Sequence, residues 1–170
     1  MSTSTSASAP SIDGTPLCVA DYEPLAAVRT AVDVWDYISG GSGAEQTLAA
    51  NRASYGRWAL RPRGLVDVSR CDPSTTLLGD AVAAPIGVAP MAYHRLLHPE
   101  GEVATARAAG GAGLPLIASI FASRTLEDMA AATSAPLWLQ LYWLRDRGAL
   151  RDLVTRAAAA GFRALVLTVD

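Results

Sequence analysis

From residue 86 onward, short apolar runs alternate with longer stretches in which apolar positions recur at helical spacing. Ile86 to Ala89, Leu116 to Ala118, Trp138 to Leu141 and Ala164 to Val169 read as strands. The stretch from Pro99 to Ala109 reads as a helix: Pro opens it, Glu100 and Glu102 occupy its first turn, and Gly110-Gly111 follow its end. A second helix starts at the capping residue Thr125, with Glu127 and Asp128 in its first turn. A third is capped by Asp146, buries Leu150, Leu153, Val154, Ala157 and Ala158 on one face, and stops at Gly161. The order β-α-β-α-β-α-β predicts a parallel sheet with right-handed crossovers.

The region before it is different. Asp21 to about Ala53 reads as helical with a break at Gly40-Gly41-Ser42-Gly43. Arg61-Pro62-Arg63 ends that region, and Leu78-Gly79-Asp80 is a hairpin turn. Residues 1–20, which open on a run rich in Ser, Thr and Ala, are expected to be a disordered tail, and 21–170 a single structural region. The repeat length fits an α/β fold of the (β/α)₈ TIM-barrel type, with this chain supplying an N-terminal helical region and the first four strands. An open, doubly wound four-stranded sheet is the alternative. Against it, no GxGxxG follows any strand and the final strand is left uncovered.

Composition narrows the function classes. A net charge of −2 gives no basic surface for nucleic acid, and no apolar stretch is long enough to span a membrane. Cys18 and Cys71 lack metal or redox spacing, so a cytoplasmic protein with reduced thiols is expected. The start lacks the basic and apolar segments of a signal peptide. Every basic residue apart from the two histidines is Arg.

The candidate chemistry gathers at strand ends. Side chains alternate along a strand, so Gln140 shares a face with Tyr142, and Thr168 with Asp170. With Ser119 and the Pro90-Met91-Ala92 loop they form a convergent polar set at the C-terminal ends of four strands, where parallel sheets and barrels build sites. Neutral hydroxyl, amide and backbone groups suit a flat heteroaromatic better than a free phosphate. Gly40 to Gly43 could cradle an anion, but no strand precedes it and no Lys-Ser/Thr follows, so a helix-linking loop is expected. His94 and His98 have the i, i+4 spacing of metal ligands, yet Pro99 interrupts the helix and no HExxH pattern is present, so no metal site is expected. Tyr37 alone reads as a core aromatic with its hydroxyl at the rim.

These residues, in order, resemble the FMN-dependent α-hydroxy acid oxidase family, which includes glycolate, lactate and hydroxymandelate oxidases. The likeness runs through Asp36-Tyr37, Gly40-Gly41, Thr47 to Arg52, Arg61-Pro62-Arg63, Ala89 to Ala92, His98-Pro99-Glu100-Gly101-Glu102, Gln140-Leu141-Tyr142 and Leu167 to Asp170. It implies FMN as cofactor, contacted by the backbone of Pro90, Met91 and Ala92 and by Ser119, Gln140 and Thr168. It further implies Tyr37 as a ligand of the substrate carboxylate, Phe121 as a wall of the substrate pocket, and Tyr142 as a hydrogen-bond donor to the substrate oxygen. Asp170 would be the catalytic carboxylate that orients a histidine. The family's flavin-facing lysine and catalytic histidine have no counterpart here, so a complementing C-terminal half barrel is expected as partner, and the completed barrel as a homo-oligomer. The implied activity is oxidation of an (S)-2-hydroxy acid, with Phe121 and the surrounding motifs most like the hydroxymandelate branch and hence an aryl substrate. A non-catalytic structural or FMN-binding half barrel is the alternative; retention of Tyr37, Gln140, Tyr142, Thr168 and Asp170 together favours the enzyme.

Overall fold

A computed structural model describes residues 16–169, so Asp170 and most of the expected tail lie outside the described residues. At the end of that expected tail, Val19–Asp21 forms a 3₁₀ turn that runs one residue past it, and the Asp21 carboxylate accepts the N–H groups of Leu17 (2.7 Å) and Cys18 (3.0 Å). The described residues fall into two compact units, one ending at Trp58 and the other starting at Ala59.

The first unit contains α1 (Tyr22–Ala27), α2 (Val32–Ser39) and α3 (Gln46–Tyr55). The break at Gly40 to Gly43 separates α2 from α3 as expected, and the Gly41 N–H there donates to the Glu45 carboxylate at 2.8 Å. The loop thus supplies its own anion. A second break, between α1 and α2, was not legible in the pattern. There the Thr30 hydroxyl donates to the Ala26 carbonyl at 2.8 Å, a local bond that competes with continuing the helix.

The second unit opens with an antiparallel hairpin, β1 (Thr75–Leu77) and β2 (Asp80–Val82). Its two-residue turn has Leu78 at φ 49° and Gly79 at φ 87°, the pair of positive angles that matches the twist of adjacent strands. A parallel sheet follows in the order β3 (Leu116–Ser119), β4 (Leu137–Leu141) and β5 (Ala164–Leu167). They are linked by α5 (Leu126–Ala131) and α6 (Arg147–Ala159), and α4 (Glu102–Gly111) precedes β3.

The expected strand at Ile86 to Ala89 is a correction: only Val88 pairs, through one parallel bridge to Leu116. Pro85 and Pro90 bracket it and carry no N–H, which leaves too little backbone to extend a ladder. Helix α4 also starts later than Pro99, because Gly101 at φ 57° cannot be helical, and it runs through Gly110-Gly111 instead of stopping before them. Both cap assignments hold: Thr125 Oγ1 accepts from Asp128 N–H (3.1 Å) and Asp146 Oδ1 from Ala149 N–H (3.0 Å).

One face of the sheet carries the core. Leu116, Ala118, Leu137, Leu139 and Leu141 pack with Ala106 and Ala109 of α4, Leu126 and Met129 of α5, and Leu150 and Ala157 of α6. Ala158, expected on that buried face, is exposed. All three helices therefore cover one side, and the strands, with Val88 beside β3, advance in one direction across the sheet. A doubly wound sheet reverses its strand order and places helices on both faces; this one does neither. The face away from the helices holds Ile117, Ser119, Trp138 and Gln140, in line with their period-two alternation. Leu165 and Leu167 pair with Leu139 and Leu141 on the helix side but are 51% and 48% exposed.

Candidate active site

Three strand ends meet in one hydrogen-bonded row. Ser119 and Gln140 are register partners, buried at 6% and 4% exposure. The Ser119 hydroxyl and the Ile120 N–H both donate to Gln140 Oε1 at 3.3 Å. The Gln140 amide donates to Thr168 Oγ1 at 2.8 Å, and Phe121 N–H donates to Ser119 Oγ at 3.1 Å. Thr168 is held in turn by its own N–H on the Leu141 carbonyl (2.9 Å). This arrangement orients Gln140 so that one amide hydrogen, and the Thr168 hydroxyl hydrogen, stay uncommitted among the described residues.

Beside the polar row runs an aromatic one. Phe121 lies between Tyr93 and Tyr142, with ring centroids 6.2 Å and 5.8 Å away and both pairs tilted. Those are favourable aromatic separations, and Phe121 and Tyr93 stay 43% and 44% exposed. The Tyr142 hydroxyl has no hydrogen-bond partner among the described residues, nor do the N–H groups of Met91 and Ala92. A pocket edge with aromatic walls and neutral donors among the described residues can accept a flat polar ring and an aryl group side by side.

Ser119, Gln140, Thr168, Phe121 and Tyr142 are thus brought together at the C-terminal strand ends, with Pro90, Met91 and Ala92 in the exposed loop that follows Val88. Tyr37 belongs to the first unit, on α2, and is 59% exposed among the described residues. Asp170 lies outside the described residues. His94 Nδ1 is 2.9 Å from Thr105 Oγ1, and His98 Nδ1 accepts the Glu100 N–H at 3.2 Å, so each ring is engaged locally.

Tyr93, Glu102 and Asp80 are additions that sequence reasoning missed. Glu102 is 1% exposed; its Oε1 accepts the N–H groups of Ser123 (2.8 Å) and His94 (3.1 Å), and its Oε2 the Ser123 hydroxyl (2.8 Å). Burial pushes its carboxyl up, but these donors and its own N–H outweigh that and hold it below the usual glutamate range. Asp80 sits at the opposite, N-terminal end of the strands. It is 3% exposed, accepts Trp138 Nε1–H at 3.2 Å, and has Arg163 Nε 2.7 Å from its other oxygen, an ion pair without hydrogen-bond alignment. Neither acid carries a sequence signal, since Asp in a hairpin turn and Glu in a first helical turn are ordinarily exposed.

The profile of a family described as FMN-dependent dehydrogenase matches residues 26–170. A peroxisomal (S)-2-hydroxy-acid oxidase, GLO4, of Oryza sativa subsp. indica is 47% identical over 158 residues, which cover 93% of this chain and 43% of that protein. A 4-hydroxymandelate oxidase of Amycolatopsis orientalis is 45% identical over 152 residues, covering 89% and 42%. The chain therefore spans less than half the length of the curated relatives it matches. Among solved structures, mandelate oxidase with (S)-2-phenylpropionate superimposes with a TM-score of 0.86 at 44% identity, over 92% of this chain and 46% of that one. A mandelate oxidase variant bearing an FMN adduct gives 0.83 at 43%, over 88% and 45%.

Proposed function

Because the chain belongs to the FMN-dependent dehydrogenase family, we propose that its C-terminal strand ends bind FMN and an aryl (S)-2-hydroxy acid, which is oxidised to the 2-oxo acid. Its second unit is part of a (β/α)₈ barrel, and barrels of this kind place their chemistry at that end of the strands. The observation that carries the reading is the Ser119–Gln140–Thr168 row with the Tyr93–Phe121–Tyr142 row alongside it. The donor set fits the cofactor: the spare amide hydrogen of Gln140, the Thr168 hydroxyl and the open N–H groups of Met91 and Ala92 suit the carbonyl and ring-nitrogen edge of a flat heteroaromatic. When bound, FMN supplies a two-electron acceptor.

The protein's part is to bind, orient and stabilise. Oxidation removes two protons and two electrons in all from the hydroxyl and the α-carbon, and negative charge develops on the substrate oxygen as its proton leaves. The uncommitted Tyr142 hydroxyl donates there, a contribution that grows as the charge forms. Phe121 forms the wall against the aryl group. Asp170 orients a histidine base contributed from outside 16–169; His94 and His98 are each tied locally through Nδ1, to Thr105 and to the Glu100 N–H. Support for the aryl class comes from the aromatic row and from the 4-hydroxymandelate and mandelate oxidases among the relatives.

The half-exposed Leu165 and Leu167, on a face that elsewhere carries helices, favour further barrel polypeptide packing there, in the same chain or a second one. Mass spectrometry of the native particle checks this: additional barrel sequence together with FMN is expected, and a stable particle with neither contradicts it. The substrate class is tested by Phe121→Trp in the FMN-loaded, barrel-complete protein. The larger ring should shift the mandelate-to-lactate ratio of kcat/KM toward lactate by about 1–3 kcal/mol, and an unchanged ratio places Phe121 outside the pocket.

A further inference from the structure

Glu100 and Glu102 stand two positions apart in His98-Pro99-Glu100-Gly101-Glu102, yet they do opposite things. Glu100 is half exposed and pairs with Arg107 at 2.9 Å. Glu102 is turned into the interior, 1% exposed, with no Arg within salt-bridge reach among the described residues. Burying a carboxylate without a cation is costly unless donors converge on it. Here three do, from two different loops: His94 N–H, Ser123 N–H and the Ser123 hydroxyl. Gly101 makes that geometry possible. It has φ 57°, and a Cβ there would stand 2.7 Å from Arg95 Cγ, so only glycine lets the chain pass this close before Glu102.

The two loops that Glu102 ties together carry two members of the aromatic row. Tyr93 immediately precedes His94, and Phe121 lies two residues before Ser123. Tyr93 N–H donates to the Phe121 carbonyl at 3.2 Å, and Arg95 N–H to Ser123 Oγ at 3.1 Å, so the loops are zipped on both sides of the anion. Tyr93 is held at φ 58°, ψ 45°, a left-handed conformation that a bulky residue keeps only where its surroundings impose it. No atom of Glu102 forms part of the strand-end rows themselves.

We propose that Glu102 is a positioning residue whose buried carboxylate holds the Tyr93 and Phe121 loops at the spacing that an aryl 2-hydroxy acid needs. This rests on the aryl reading given above. Glu102→Gln keeps the shape and one acceptor oxygen but replaces the oxygen that receives the Ser123 hydroxyl by a donor. Ser123→Ala removes that hydroxyl and leaves the carboxylate in place.

In the FMN-loaded, barrel-complete protein, Glu102→Gln should lower the mandelate-to-lactate ratio of kcat/KM by roughly three- to tenfold, through a raised KM for mandelate, with kcat for lactate near that of the unsubstituted protein. Ser123→Ala should give a smaller shift in the same direction. Amide hydrogen exchange, read without substrate, should quicken at His94, Arg95 and Ser123 and stay unchanged across β4. Normal lactate turnover with an unmoved ratio in both variants overturns the proposal and leaves the function intact; so does unchanged exchange. Equal loss of kcat on both acids would make Glu102 a general structural group and also overturns it. An unsubstituted protein that oxidises neither acid overturns the functional reading and this proposal with it.

Discussion

At the N-terminal ends of β4 and β5 the buried polar group is an acid, Asp80, with one oxygen accepting the Trp138 indole N–H and the other in an ion pair with the exposed Arg163. At the C-terminal ends of the same strands the buried groups are neutral, Ser119 and Gln140, and they keep donor capacity to spare. The hairpin that carries Asp80 reaches the first end through that side chain, whereas a loop with open N–H groups and an exposed aromatic row borders the second. The difference separates two uses of a buried polar side chain. Asp80 spends its capacity on holding strands together; Gln140 is oriented by its neighbours and left with something to offer. On the proposed function, stability belongs to one end of the barrel strands and recognition to the other.

Substitutions at each end should therefore report on different quantities. The largest effect is expected from Tyr142→Phe in the FMN-loaded, barrel-complete protein. Loss of a hydroxyl that meets developing charge should lower kcat by about 10² to 10³ with little change in KM. The melting temperature should hold, because that hydroxyl has no partner among the described residues. A raised KM with normal kcat would make Tyr142 a simple binding group.

Asp80→Ala should do the reverse. It orphans the Trp138 indole N–H at a cost of about 1–3 kcal/mol, seen as a lowered denaturant midpoint. The Arg163 pair adds little to that, since its side chain is 63% exposed. FMN affinity should not change; if it falls, the two ends are coupled and the division is wrong. Gln140→Leu sharpens the contrast from the other side. Cutting the row should weaken FMN binding by about tenfold, or about 1.4 kcal/mol, by flavin fluorescence titration.

The smallest effect is one of pH. The folded-state pKa of Glu102 is depressed, so its contribution is present at neutral pH and is lost as pH falls through the usual glutamate range and below. The melting-temperature gap between the unsubstituted protein and Glu102→Gln should accordingly narrow on acidification from pH ~7 to ~3. A gap that is constant with pH would mean that the charge on Glu102 contributes nothing.

Much of the second unit was legible because local and global signals agree there. Thr125 and Asp146 cap helices as their positions predict, and the alternation in Trp138 to Tyr142 places Gln140 opposite Leu139 and Leu141. Where prediction failed, a tertiary or backbone effect intervened. Pro85 and Pro90 cut the Val88 strand to a bridge, and the left-handed Gly101 delayed α4. Glu100 and Glu102 look equivalent in sequence; only the Ser123 and His94 donors, distant in the chain or on another loop, distinguish them. Asp80 became visible only through Trp138, 58 residues away. The structure brings Ser119, Gln140, Tyr142 and Thr168, which the alternation pattern sends to one face, to the same strand ends as Phe121, while Tyr93 was passed over because nothing local marks it as the end of an aromatic row.

The central claim is that the open strand ends form a site where FMN and an aryl 2-hydroxy acid meet. Anaerobic mixing of the FMN-loaded, barrel-complete protein with (S)-mandelate, followed by the visible flavin absorbance, tests it most directly. Rapid bleaching of the flavin is expected, slowed about 10² to 10³-fold by Tyr142→Phe. A flavin that stays oxidised with (S)-mandelate and with lactate alike, or one that bleaches equally fast in the variant, would contradict it.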